Sequence, residues 1–169
     1  MSPAAAPLVV RVDNRLVHGQ VLEAWVPALR IKALLVADDE AAADALTRAA
    51  MGLALSDELA LEVLTVADAA RRLLPGGAGV GPGTLVLLRE VATASQLAAA
   101  GVPLPRLNLG NVHFRAGRRP VSPTVYLDED ELALLEALAK AGTEVEVRAV
   151  PAEAPAFLPA LRARFAESK

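Results

Sequence analysis

Apolar residues come along this chain in short bursts of two different periods. "PLVVR" (7–11) is a compact, β-branched run and predicts a buried strand. "GQVLEAWVPAL" (19–29) then sets Val21, Leu22, Trp25 and Val26 on one face of a helix. The alternation repeats to the end of the chain. Strands are predicted at "IKALLVA" (31–37), "LALEVLTV" (59–66), "TLVLL" (84–88), "PRLNLGN" (105–111) and "TEVEVRAV" (143–150). Helices are predicted at "DEAAADALTRAAMGLAL" (39–55, with Asp39 as N-cap), "ADAARRLL" (67–74), "VATASQLAAAG" (91–101, stopped by Gly101), "DEDELALLEALAKAG" (128–142) and "APAFLPALRARFAES" (154–168). "PGGAGVGPG" (75–83) reads as a flexible surface turn, and residues 112–127 as a hairpin or extended excursion.

Strands alternating with helices in this way predict an α/β fold: an open, mainly parallel twisted sheet with helices on both faces. With no internal repeat and no long linker, the expectation is one domain over 8–169 behind a flexible segment, 1–7. A hydrophobic content of 54% is ample for a core, and at 3% aromatic that core must be built from Ala, Leu and Val. A net charge of −3 argues against a nucleic-acid partner. No stretch has the length and apolarity to insert in a bilayer, and the start lacks a signal peptide's basic and apolar regions, so a cytoplasmic protein is expected. With no Cys, disulfides, thiol catalysis and Cys-type zinc sites are excluded.

Sheets of this type bind ligands beyond the carboxyl ends of their strands, beside a switch in strand order. The loops that follow the predicted strands carry Asp13 to His18, Asp38 and Asp39, Asp68, Arg89 and Glu90, and Asn108 to His113. Both histidines of the chain are among them. The glycine-rich "GGAGVGPG" precedes a strand and lacks the G-x-G-x-x-G spacing, so a dinucleotide fingerprint is rejected. Asp38 and Asp39 fall after the second strand, where a receiver-type magnesium site does not have its acidic pair. His18 and His113 lack the local spacing of a zinc motif, and no G-x-S-x-G elbow supports a hydrolase triad, so neither a metal nor a cofactor is expected.

"RVDNRLVHGQV" (11–21) leaves two readings for His18, an ordinary surface ring or a nucleophile that carries a phosphoryl group. The second fits its neighbours. The start of the following helix attracts anions, Arg15 offers a forked charge, and Gly19 lets the backbone approach without a Cβ. Asp13 would orient Arg15 or the ring, or serve the turn alone. His113 is the rival acceptor, and its loop would border the same end of the sheet. The cluster Arg115, Arg118 and Arg119 is either a docking border for an acidic partner surface or a solvated loop.

"RVDNRLVHGQV" with the following Trp25, "LLVADDEAAAD", "LNLGNVHFRAG" and "VYLDEDELALLEAL" resemble the IIB component of the mannose/fructose/sorbose family of the bacterial sugar phosphotransferase system (PTS), over nearly the whole chain. The resemblance implies a protein-Nπ-phosphohistidine–sugar phosphotransferase. Its His18 would accept a phosphoryl group from a IIA phosphoprotein and pass it to a sugar entering through membrane IIC and IID subunits. His18 and Arg15 are then the catalytic pair, with Asp13, Asn14, Gly19, Gln20, Asp68, Asn108 and His113 binding the phosphoryl group or bordering it. It also implies a cytoplasmic protein, held at the membrane only through permease subunits. The alternative is a regulatory phosphocarrier of the same fold that is not coupled to sugar transport.

Overall fold

The protein is described from a computed structural model, covering residues 9–76 and 80–168. Residues 1–7, expected to be flexible, and part of the glycine-rich turn lie outside the described residues. The first strand, β1 (Val9–Asp13), leads through a tight loop into a helix that starts at Gly19, passes through a π-helical turn (Val21–Trp25) and ends in α1 (Val26–Ala28). Then follow β2 (Ala33–Ala37), α2 (Asp39–Ala43), α3 (Ala45–Leu53), β3 (Ala60–Leu64), α4 (Val66–Leu73), β4 (Thr84–Leu88) and α5 (Val91–Ala99). The remainder comprises β5 (Arg106–Asn111), β6 (Arg119–Pro120), β7 (Tyr126–Leu127), α6 (Glu129–Lys140), β8 (Glu144–Val147), β9 (Ala156–Phe157) and α7 (Leu158–Glu167).

Seven strands form one sheet in the order β3-β2-β4-β1-β5-β8-β9, parallel except for β9. The expected fold class is the one found. β6 and β7 pair antiparallel, so the excursion after β5 does contain a hairpin. Side chains alternate across the sheet, as the pleat requires. Val10, Val12, Leu35, Val86, Leu88, Leu107, Leu109, Val145 and Val147 point to the face covered by α4, α5, α6 and α7. Leu34, Val36, Leu85 and Leu87 point to the other face and meet Leu16, Val21 and Trp25.

Several boundaries differ from the sequence expectation. β1 extends past "PLVVR" and ends at Asp13, so that Asp13 as well as Arg11 lies in the sheet. The helix expected over 39–55 is two helices: Asp44 adopts extended backbone, and its side chain accepts from the Leu46 N–H and the Thr47 hydroxyl to cap a new start. The N-cap of α2 is Asp38, whose carboxylate accepts from the Ala41 N–H, while Asp39 accepts from Val66 N–H. In both cases the acid that sits in extended backbone is the one able to cap. β9, a two-residue antiparallel edge, takes the start of the segment expected to be the last helix.

The basic cluster is also corrected. Arg118 is buried, forks onto Glu131 and donates to the His113 carbonyl oxygen at 2.9 Å. Glu131 in turn accepts from the Asp128 N–H and completes the capping box of α6. The Arg119 guanidinium lies 4.7 Å from the Phe165 ring centroid. These two arginines pin the excursion to α6 and α7. Only Arg115 is exposed, 3.8 Å from Glu90 and 3.9 Å from Glu131.

Candidate functional site

The loop between β1 and the first helix turns on Asp13. Leu16 N–H donates to the Asp13 carbonyl oxygen at 2.9 Å, closing a turn, and Leu16 takes φ +55° with its side chain buried. A left-handed leucine costs roughly 1–2 kcal/mol, and burial of its side chain beneath the loop holds it there. The chain then enters the helix, with Leu22 N–H donating to the His18 carbonyl oxygen at 3.1 Å. The N–H groups of the first turn have no intrahelical acceptor and point toward the His18 end. Val26 N–H reaches back five residues to Val21, and this wider π turn carries Trp25 into the core.

Asp13 is fully buried, and one of its oxygens, Oδ2, accepts from His18 Nε2 at 2.8 Å, Asn111 Nδ2 at 2.9 Å and Arg11 Nη2 at 3.1 Å. Its Oδ1 accepts from the Arg15 N–H at 3.0 Å, with Arg15 Nε 3.9 Å away. Burial pushes the Asp13 carboxyl up, but the hydrogen bonds from His18 and Asn111, the Arg11 charge and the Arg15 N–H outweigh it and leave it below the ordinary carboxylate value. An ionised carboxylate only accepts, so the His18 ring presents Nε2–H to it, and in the neutral form of such a ring Nδ1 is the nitrogen with the free lone pair. His18 is 14% exposed and Arg15 51% exposed, so the ring is held while the guanidinium is free to meet an incoming anion.

Of the other expected site residues, Gln20 and Asn14 join this cluster. Gln20 Oε1 accepts from Asn111 Nδ2 at 3.0 Å and Arg11 Nη2 at 3.2 Å. Asn14 donates from Nδ2 to His113 Nδ1, and its N–H donates to the Asn111 carbonyl oxygen at 2.9 Å. His113 therefore borders the site, with Phe114 and Tyr126, around a cleft that also includes Arg15. Its ring is exposed and bonded to an amide rather than a carboxylate. Gly19 is exposed, and a Cβ there would come no nearer than 3.9 Å to another side chain, so only a group arriving from outside could require it. Asn108 is buried beneath the site, where it takes a bond from Arg11 rather than facing a ligand. Asp68 lies on α4 behind the edge strand β3, bonded to the Thr65 hydroxyl acceptor and to Arg71, and is not brought to the cluster.

Two contributors, Arg11 and the Trp25 ring, were not expected from the sequence, and Asn111 was expected only as part of the loop from Asn108 to His113. Arg11 is fully buried, stacks 4.8 Å from the Trp25 centroid, and also donates to Asn108 Oδ1 and to the Arg148 and Ala149 carbonyl oxygens. Trp25 Nε1 donates to the same Ala149 oxygen at 2.9 Å. Arg11, Asn108 and Glu146 are in register on β1, β5 and β8 and form one buried polar row across the sheet. A register shift between Val12 and Asp13 sets Asp13 opposite Asn111, leaving Gly110 beside the Arg11 guanidinium. The signal was present: "VVRVD", "RLNLGN" and "EVEVR" alternate apolar and polar, unlike the uniformly apolar "ALLVA" and "TLVLL". Among the described residues there is no group of three or more acids and histidines that could hold a metal ion.

A buried carboxylate that orients a histidine at the carboxyl end of a central parallel strand, with an arginine and a helix start beside it, defines an α/β domain equipped for anion chemistry. The family described as "PTS system sorbose subfamily IIB component" matches residues 8–167, and the chain belongs to that family. The N-acetylgalactosamine-specific phosphotransferase enzyme IIB component 1 of Escherichia coli K12 is 30% identical over 153 residues, 90% of this chain and 96% of that one. The mannose-specific EIIAB component of the same organism is 28% identical over 84% of this chain, which spans 44% of that protein. In fold, the IIBSor domain of the sorbose permease from Klebsiella pneumoniae superposes with a TM-score of 0.82 at 21% identity, covering 94% of this chain and 97% of that one. The chain is thus a phosphotransferase component of the bacterial sugar PTS. No helix among the described residues is long and apolar enough to cross a membrane.

Proposed function

We propose that this protein is a phosphoryl carrier that accepts a phosphoryl group on Nδ1 of His18 from a phosphohistidine of a IIA partner and passes it to a sugar entering through membrane IIC and IID subunits. The observation that carries this reading is the 2.8 Å contact between His18 Nε2 and Asp13, which leaves Nδ1 as the nucleophile. In the first step the Nδ1 lone pair forms a bond to phosphorus while the donor's N–P bond breaks and its electron pair returns to the donor ring. In the second, a sugar hydroxyl oxygen attacks, its proton passes to solvent, and the N–P electrons return to Nδ1.

During the first step the His18 ring gains positive charge, which Asp13 meets through Nε2–H. Arg15 and the first N–H groups of the helix meet the phosphoryl oxygens. A carrier must hold this group without trapping it, and a half-exposed arginine serves that need. That a relative is named as an EIIAB component supports a IIA partner.

The test is labelling by a phosphorylated IIA protein. His18→Ala is expected to take up no label, whereas His113→Ala keeps most of it, because His113 has no carboxylate to fix its tautomer. Label retained in His18→Ala and lost in His113→Ala would reverse the assignment.

A further inference from the structure

The buried Arg11 does more than fill space under the site. It shares with His18 a single acceptor atom, Asp13 Oδ2, at 3.1 Å against 2.8 Å for the ring. Its guanidinium is held through both terminal nitrogens, by Asn108 and Gln20 and by the carbonyl oxygens of Arg148 and Ala149, and lies on the face of Trp25, while its buried Nε has no partner among the described residues. Burial pulls its proton affinity below the ordinary value, and the Asp13 carboxylate offsets only part of that. A buried arginine is costly unless such partners hold it, and an apolar side chain would fill this site more simply. Its cost therefore points to a role in what Asp13 does to the ring.

We infer that Arg11 is a positioning residue that tempers the Asp13 carboxylate, keeping the His18 ring neutral and its Nδ1 lone pair available at working pH. A buried, uncompensated carboxylate against an imidazole stabilises the doubly protonated ring, which has no lone pair and cannot attack phosphorus. A permanent charge on the same oxygen removes that bias and leaves the hydrogen bond that fixes the tautomer. The charged groups around the ring are consistent with this accounting. Asp13 faces it from β1, balanced by Arg11; Arg15 lies across Asp13 on the turn, 3.9 Å from Oδ1; and Glu146 from β8, the other buried acid nearby, is matched by Arg148 at 3.1 Å. Asn108 ties the two pairs together, accepting from Arg11 and donating to Glu146. With the ring neutral the buried cluster is balanced, and protonating the ring would add one unmatched charge.

This inference rests on His18 being the phosphoryl acceptor, and the experiment separates the two claims. Phosphoryl uptake from a IIA donor is measured against pH for the wild type, Arg11→Met and Arg11→Lys, correcting for the donor's own pH response. In parallel, ¹⁵N NMR follows the His18 ring in the unphosphorylated proteins. The expected result for Arg11→Met is a profile displaced upward by about one pH unit or more, with uptake recovering in alkali and the ring doubly protonated at neutral pH. Arg11→Lys, which restores a charge but not the fork, should bring the profile back toward wild type. A uniform loss at every pH in both variants, or a profile that does not move, would show that Arg11 is structural only. Should Arg11→Met fail to fold, Arg11→Gln, which keeps a polar side chain without the charge, decides: a His18 ring that stays doubly protonated to higher pH than in wild type supports the inference, and an unchanged ring overturns it. Label mapping to another residue would sink the acceptor assignment while the NMR comparison still judged Arg11.

Discussion

At the scale of single residues, the proposed function has Asp13 hold the ring and Arg15 meet the phosphoryl group. Asp13 is buried and bonded through both oxygens, so its effect is on the orientation of its neighbours. Arg15 spends only a backbone N–H and a long ion-pair contact on the protein, and its guanidinium faces solvent. Two unit charges ~4 Å apart interact by about 4 kcal/mol at an effective dielectric near 20. Exposure screens much of this, and about half of it felt in the transition state slows transfer by roughly tenfold to a hundredfold on removal. Arg15→Ala is therefore expected to fold with an unchanged melting temperature and lose that factor in single-turnover uptake, with Arg15→Lys between it and wild type. Equal rates across the series would show that Arg15 takes no part in transfer.

At the scale of elements, the site is a product of how β1, β5 and β8 line up, and Gly110 shows how tight that alignment is. A Cβ at Gly110 would stand 2.0 Å from Arg11 Cζ, and the guanidinium is too firmly bonded to move aside. Gly110→Ala should therefore lower stability by about 3 kcal/mol or more, combining overpacking with a disrupted buried pair. Chemical denaturation of the variant checks this, and a loss under about 1 kcal/mol would mean that Arg11 can relocate. This is also where the sequence was only partly legible. Residues 13–20 could be read as a site because they are contiguous and fall after a strand. Arg11, Asn108 and Asn111 could not be brought together without knowing the register of parallel strands, which long crossovers set and no local pattern states. Arg118 misled for a related reason. A run of arginines in a loop reads as solvated, but this loop folds back on α6, where Glu131 was waiting as part of a capping box.

At the scale of the whole molecule, strand order explains what belongs to the site. β1 is central, next to β5, so the loops after these two strands meet, while β3 at the edge carries Asp68 away from them. The same arrangement gives the fold an acid sensitivity. Asp13 and Asp38 both lie below the ordinary value of 3.8 for a carboxyl, the first for the reasons given above, the second because bonds from Arg89 and the Ala41 N–H outweigh burial. Groups depressed in the folded state bind fewer protons there than in the unfolded chain, so their contribution is complete above about pH 5 and is lost progressively as pH falls through the unfolded and then the folded values. Melting temperature should hold from neutrality to about pH 5 and then drop, and less steeply in Asp38→Asn, as a calorimetric pH series would show. The proposed chemistry turns on one nitrogen. In protein phosphorylated by a IIA donor, ¹H–¹⁵N and ³¹P NMR should place the phosphoryl group on Nδ1 of His18, with Nε2 still facing Asp13. A phosphoryl group found on Nε2, or on any other residue, would contradict it.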